Sequence, residues 1–203
     1  DSGSGRYLLG SYALDVGLSA LGRLDPVRLA GHILENLCED IQETVALAVW
    51  GNRGATIVRI FDSGAPITIT LRAGTVLPLC KSATGQAFAA FFRSPFLKQM
   101  LDQELREISE GSKIAITAAR RQLEKTLTEI RRHGISRASG SLTPGINGFS
   151  APVFDHSGMM VAAITSLGAV GEFSVEWDSP VAKAMLAAAG DLSRKLGFNR
   201  PQR

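Results

Sequence analysis

No stretch of this chain approaches the ~18 consecutive apolar residues of a bilayer-spanning helix, and its start lacks the apolar core of a secretion signal. Membrane attachment is therefore not expected. Cysteine is scarce. Cys38 and Cys80 make no disulfide framework, which fits a reducing cytoplasm. Charge of one sign is not in excess either: 22 basic against 19 acidic residues leave +3, too little in itself to argue for nucleic acid. The common catalytic signatures are missing. There is no HExxH, no GxSxG, no phosphate-binding GxxxxGK loop, no helix-opening GxGxxG and no CxxC. The three histidines, His32, His133 and His156, stand far apart. No cofactor is expected.

What is present is a foldable chain of 203 residues, 45% hydrophobic and 20% charged. A globular chain of this size buries about 70% of the surface its unfolded form exposes, so one full core is within reach. The composition excludes disorder. It suggests one domain, or one with a short appendage.

Residues 1–5 (Asp-Ser-Gly-Ser-Gly) resemble a flexible tail or tag remnant. From Tyr7 to Leu24, Leu14, Leu18 and Leu21 recur at helical spacing. Asp25-Pro26 opens a second helix, with Asp as N-cap and an apolar stripe of Val27, Ala30, Ile33, Leu34, Leu37 and Ile41. Strands are predicted over Thr44–Trp50 and Ala55–Phe61, joined by the tight turn Gly51-Asn52-Arg53-Gly54, and over the alternating run Ile67–Leu71. Ser82 would cap a helix rich in small residues. Gly85 inside it costs about 1 kcal/mol against Ala, which points to a close approach by another element or by a ligand. Ser94-Pro95 would start a short helix. Thr117 would cap a longer one to His133, with Ala119, Leu123, Leu127 and Ile130 as its stripe and Gly134 as its stop. A hairpin over Gly148–Phe154 and Met159–Leu167 turns at Asp155-His156-Ser157-Gly158. The last helix follows Asp178-Ser179-Pro180, turns Val181, Met185, Leu192 and Leu196 inward and stops at Gly197. Helices, an antiparallel run, helices, strands and a final helix make an α+β fold.

Candidate chemistry is thin. Cys80 with His156 could form a nucleophile–base pair, since such partners meet in space and not in sequence. A buried, inert thiol and a solvated turn histidine are the default readings. Asp102, Glu104, Glu107 and Glu110 read as a solvated helix face. So does Lys113–Arg137, despite seven basic residues against two acidic ones.

Several segments, in order and with matching spacing, carry a resemblance: Arg6–Gly10, Glu43–Val49, Gly74–Leu79, Ala83–Ala87, Ile130–Gly134, Pro144–Val153 and Gly158–Ile164. The most specific is Pro144-Gly145 followed by Ala151-Pro152-Val153. Over roughly residues 6–198 the chain resembles the effector domain of isocitrate-lyase-regulator (IclR) type bacterial transcription factors. The resemblance implies a GAF-like domain over residues 25–203, in which an antiparallel sheet is flanked by helices. It also implies the end of a DNA-binding wing and a linker helix over residues 6–24, with the winged helix-turn-helix absent from this chain. The implied partners are a small-molecule effector, a second copy in a homodimer or homotetramer, and promoter DNA only through the missing N-terminal domain.

It further implies a ligand cup between the sheet and the helix after Leu79, with an anionic head held by backbone N–H groups of the helix start at Ser82, Ala83 and Thr84. In members sensing small 2-oxo acids an Asp, a Cys and two Ser add contacts. By position these fall at Ala138 or Ser139, at Gly148, and at Thr165 and Leu167. Only Thr165 keeps a hydroxyl there. The loss of polar groups implies a larger, partly apolar ligand, possible in aromatic form, with Ile69, Leu71, Phe149 and Leu167 as candidate walls. Gly148 is open to two readings, freed volume or a strand bulge. Arg72 is either a carboxylate clamp or a solvated strand-end residue, and Trp50 a core or interface residue. The alternative function is a cysteine-dependent enzyme on the same scaffold.

Overall fold

The computed structural model describes residues 17, 24–64, 71–112 and 114–199. The tail, the wing segment and nearly all of the linker helix lie outside the described residues, as does the strand predicted from Ile67 except for Leu71. Ten elements are named in chain order: α1 (Pro26–Ile41), β1 (Thr44–Gly51), β2 (Gly54–Phe61), α2 (Ala83–Phe91), α3 (Pro95–Ser112), α4 (Ile116–His133), β3 (Ser136–Ser139), β4 (Ile146–Phe154), β5 (Met160–Ala169) and α5 (Pro180–Lys195).

The strands form one sheet in the order β2-β1-β5-β4-β3, and every adjacent pair is antiparallel. Period-2 alternation divides the sheet into two apolar faces. Val45, Leu47, Phe149, Ala151, Val153, Ala162 and Ile164 pack under α1 and α5. Ala46, Ala48, Ile57 and Ala163 pack under α2, against Phe88 and Leu77. α4 lies over α2, where Leu123, Leu127 and Ile130 close a third apolar cluster with Ala89 and Leu105. The result is α+β, with the sheet covered on both sides.

Local chemistry explains the element ends. Asp25 accepts from the Val27 N–H at the start of α1, and Ser179 accepts from Ala182 N–H at the start of α5. Gly134 ends α4 at φ 73°, a conformation glycine adopts without a Cβ penalty. Two boundaries differ from expectation. The helix opening at Ser94-Pro95 is not short: α3 runs 18 residues, and Leu97 and Leu105, about two turns apart, are its buried anchors. Thr117 is not a cap: α4 begins one residue earlier, at Ile116, after Ala115, which makes no side-chain cap bond. Past β2, residues 74–77 follow its edge. Gly74 N–H donates to Ile57 O, Ile57 N–H to Thr75 O and Leu77 N–H to Ala55 O. Among the described residues no helix is long and apolar enough to cross a membrane.

Candidate functional site

The site begins with how α2 meets the chain before it. Ser82 Oγ accepts from Gly85 N–H at 2.8 Å and donates to Pro78 O at 2.7 Å, so one hydroxyl caps the helix and holds the Leu77-Pro78-Leu79 turn against it. Gly85 permits this contact, since a Cβ there would lie 2.1 Å from Pro78 O and 2.6 Å from Leu79 Cα. Its partner is therefore protein backbone. Glu104, reaching from α3, accepts from the N–H groups of Leu79 and Cys80 at 2.8 and 2.9 Å. It is a structural clamp on the turn and not, as expected, one more solvated helix carboxylate.

Beside this helix start lies a cavity of about 480 Å³, between the N-terminal turn of α2, the ends of β4 and β5, the 74–78 segment and the loop at Leu142–Pro144. Of the residues picked from sequence, Ala83, Thr84, Ala138, Gly148, Thr165 and Leu167 all line it, and so does Leu71. Ser139 is exposed and outside the lining, because the alternation of β3 turns Ala138 inward instead. Ile69 lies outside the described residues. Phe149 is no wall residue: it is fully buried on the opposite face of the sheet, against Phe173. Sequence reasoning missed Val76, Leu77, Pro78, Leu142, Ile146 and Asn147. The turn signal Thr143-Pro144-Gly145 marked the loop but not what it covers.

Gly148 sits in regular pairing with Leu167 on one side and Ala138 on the other, so it marks no bulge. A Cβ there would lie 2.7 Å from Leu167 Cδ2. The space a side chain would take is already occupied by Leu167. The floor is a hydroxyl chain. Thr84 and Thr165 Oγ1 are 2.8 Å apart, and Thr165 donates to Ser150 Oγ at 2.9 Å. Ser136 Oγ donates to Ala83 O, tying β3 to the first turn of α2. The helix cap uses Gly85 N–H. The N–H groups of Ala83 and Thr84 precede any intrahelical acceptor, and both residues face the cavity. No basic residue lines it among the described residues.

Other candidates fall away on chemistry. Arg72 is exposed and does not line the cavity. Trp50 packs on Phe92 and Phe88, at ring-centroid distances of 4.6 and 5.6 Å, as a core residue. His156 is exposed in the β4–β5 turn. In the basic segment, Arg120 pairs with Asp102 and Arg131 donates to Ala90 O, tying α4 to α3 and α2, while Arg137 of β3 lies over Trp177 in the loop before α5. A hollow of about 710 Å³ between α1 and α5 lies on the outer surface and contains no helix N-terminus. No group of three His, Cys, Asp or Glu among the described residues is placed to hold a metal.

Burial pushes the Cys80 thiol up to about 12, and the neighbouring Glu104 charge and its hydrogen bond add to the effect. At pH 8 the thiolate fraction is then roughly one in ten thousand, and the thiolate is the reactive form. Iodoacetamide at pH 8 is therefore expected to leave Cys80 unmodified in the folded protein under conditions that label the urea-unfolded chain completely. Labelling at the rate of a free cysteine would show that the thiol is activated.

The comparisons with known proteins agree with this geometry. The family model described as bacterial transcriptional regulator IclR C-terminal matches residues 18–194. The chain belongs to the IclR family. Among solved structures, HmgR of Pseudomonas aeruginosa is 36% identical with a TM-score of 0.84, over 98% of this chain and 78% of that one. The Thermotoga maritima IclR structure, 22% identical with a TM-score of 0.70, shares the fold over 97% of this chain and 78% of its own. Among curated regulators, KipR of Bacillus subtilis is 24% identical over 96% of this chain and 77% of its own length. KdgR of Escherichia coli is 24% identical over 97% of this chain and 73% of its own. The IclR-family relatives are named as transcriptional regulators, and the matched region is their C-terminal effector domain.

Proposed function

We propose that this chain senses a small carboxylate with a partly apolar body and passes occupancy of the cup to the rest of a transcription regulator. The carrying observation is the cavity of about 480 Å³ that opens onto the first turn of α2. With no cation in the described lining, the helix N-terminus is the natural partner for an anionic head. Leu71, Leu77 and Leu167 supply the apolar wall. The ordering of roles follows the family reading. Residues 25–203 sense the effector, residues 6–24 carry the linker and wing end, and promoter DNA is met by a winged helix-turn-helix elsewhere in the full-length protein. Copies of the chain pair through the effector domain in a dimer or tetramer. A protonated Cys80 thiol supports a sensor over a thiol enzyme.

The test is thermal unfolding with a panel of small carboxylates, aromatic ones included. A ligand at 100 times its Kd stabilises by about 2.7 kcal/mol, which for a domain of this size raises Tm by roughly 5–10 °C. Stabilisation that leaves the ligand chemically unchanged, and that disappears in Ala138→Trp, supports the reading. Conversion of the ligand that stops on thiol alkylation would support the enzyme instead.

A further inference from the structure

We propose that the end of the sheet beside Gly168 is a proton-operated clasp, in which uptake of a proton by Glu43 ties the end of α1 to the ends of β4 and β5. The clasp does not depend on what the cup binds.

The geometry centres on one vacant position. A Cβ on Gly168 would lie 2.6 Å from Glu43 Oε2 and 2.5 Å from Phe173 Cδ2, so the carboxyl and the ring both rest on the glycine. Asn147 stands opposite Gly168 in the β4–β5 pairing, and its side chain rises on the same face. Cross-strand partners hold their Cβ positions about 4.5–5.5 Å apart, which brings the Asn147 amide within a side chain's reach of the Glu43 carboxyl. Asn147 is 5% exposed. Its Nδ2 donates to Phe173 O at 2.9 Å, which fixes the amide orientation, and its Oδ1 has no partner among the described residues. The half-buried Glu43 carboxyl accepts from no donor among the described residues either. Acceptors meet here and a donor is missing, which is a costly arrangement.

The charges around Glu43 supply no remedy. Burial pushes its carboxyl above the ordinary value, and the like charge of Glu172, in the turn after β5, adds to the effect. Glu39 and Asp40 stand at the end of α1, whose last turn has no basic residue. Asp62, past β2, accepts from Thr44 Oγ1 at 3.5 Å. Lys183, in the first turn of α5, is exposed. Arg137 shares the face but stands three strands from β1, roughly 14 Å. It is engaged with Val175 O and Trp177.

A metal ion is a poor answer. No group of three His, Cys, Asp or Glu among the described residues is placed to hold one, and hard cations take six or more oxygens. A proton needs no cavity. It turns the Glu43 carboxyl from acceptor into donor, and Asn147 Oδ1 is the acceptor left to receive it. The strand ends clasped in this way carry Leu167 and Gly148 into the cup wall, so acidification braces the cup from behind. The folded protein holds this proton more tightly than the unfolded chain does. The clasp therefore stabilises fully below the ordinary glutamate range and is lost as pH rises through the raised Glu43 value.

The experiment is thermal melting of the chain and of Glu43→Gln between pH 8 and pH 4.5, with carboxyl carbon NMR of Glu43. Glutamine keeps the shape and carries a permanent donor. At pH 8 Glu43→Gln is expected to melt roughly 2–4 °C above the wild type, and the gap is expected to shrink towards pH 4.5 as the wild type takes up its proton. Other carboxylates titrate in both proteins and cancel in the comparison. Glu172→Gln should move the Glu43 midpoint down and leave it above that of the exposed glutamates, because burial remains. Melting of Glu43→Gln at or below the wild type at pH 8, or a gap that is the same at every pH, would overturn the clasp. So would a Glu43 carboxyl that titrates together with the exposed glutamates.

Discussion

Gly85→Ala is expected to lower Tm by roughly 5–15 °C, although alanine is the better helix former. Propensity favours the substitution by about 1 kcal/mol. Against it stands the contact: the new methyl would lie 2.1 Å from Pro78 O and 2.6 Å from Leu79 Cα. Both are backbone atoms, so no side-chain rotation relieves the overlap. Either α2 lifts from the turn or the turn shifts. The Ser82 hydroxyl bonds to both Pro78 O and Gly85 N–H, and Glu104 holds the next two N–H groups, so neither movement is free. Overpacking of this kind costs about 1–3 kcal/mol and more where backbone must move. A net loss of about 2–4 kcal/mol corresponds to the stated fall for a domain of this length. The same displacement moves the Ala83 and Thr84 N–H groups, so ligand affinity should fall with stability. Calorimetric melting of the wild type and variant checks the first effect, and an unchanged or higher Tm would mean that α2 does not rest on Pro78.

The elements were legible where a local rule acts alone. Asp25-Pro26, Ser82, Gly134 and Ser179-Pro180 each fix a helix end through a cap or a glycine, and each does so in the structure. Reading failed where distant packing decides. Nothing local in Pro95–Ser112 says that Leu105 will find Leu123 and Leu127, and the helix appeared shorter than it is. Thr117 had the right side chain for a cap, yet the chain turns helical one residue before it.

The cup followed the same division. Alternation along a strand identifies which residues share a face, and with the family resemblance it placed Ala138, Gly148, Thr165 and Leu167 together. It could not tell which side a candidate wall occupies, and Phe149 went to the opposite core because it is one residue out of phase with Gly148. Glu104 was beyond reach for another reason. Its partners are backbone N–H groups 24 and 25 positions away, and a backbone group carries no residue signature.

Gly148→Glu is expected to abolish ligand binding while the sheet still forms. The geometry revises the simplest account of why. Gly148 does not border empty space: a Cβ would lie 2.7 Å from Leu167 Cδ2 and 3.2 Å from Ser166 O. The first neighbour is the end of a flexible side chain that already lines the cavity, so Leu167 can swing, and the room available to it is the cup itself. Occlusion thus begins with the first carbon added. Beyond it, a carboxylate would stand close to the place an anionic head occupies at Ala83 and Thr84, and would compete for the same N–H groups. A charge buried there without a partner would also take up a proton or cost stability, so a loss of about 1–3 kcal/mol is expected alongside. Gly148→Ala separates the two effects. It moves Leu167 and adds no charge, so it should weaken binding while Gly148→Glu removes it. Circular dichroism and calorimetric titration of both variants make the check. A ligand that binds Gly148→Glu as tightly as the wild type would place the site away from this strand.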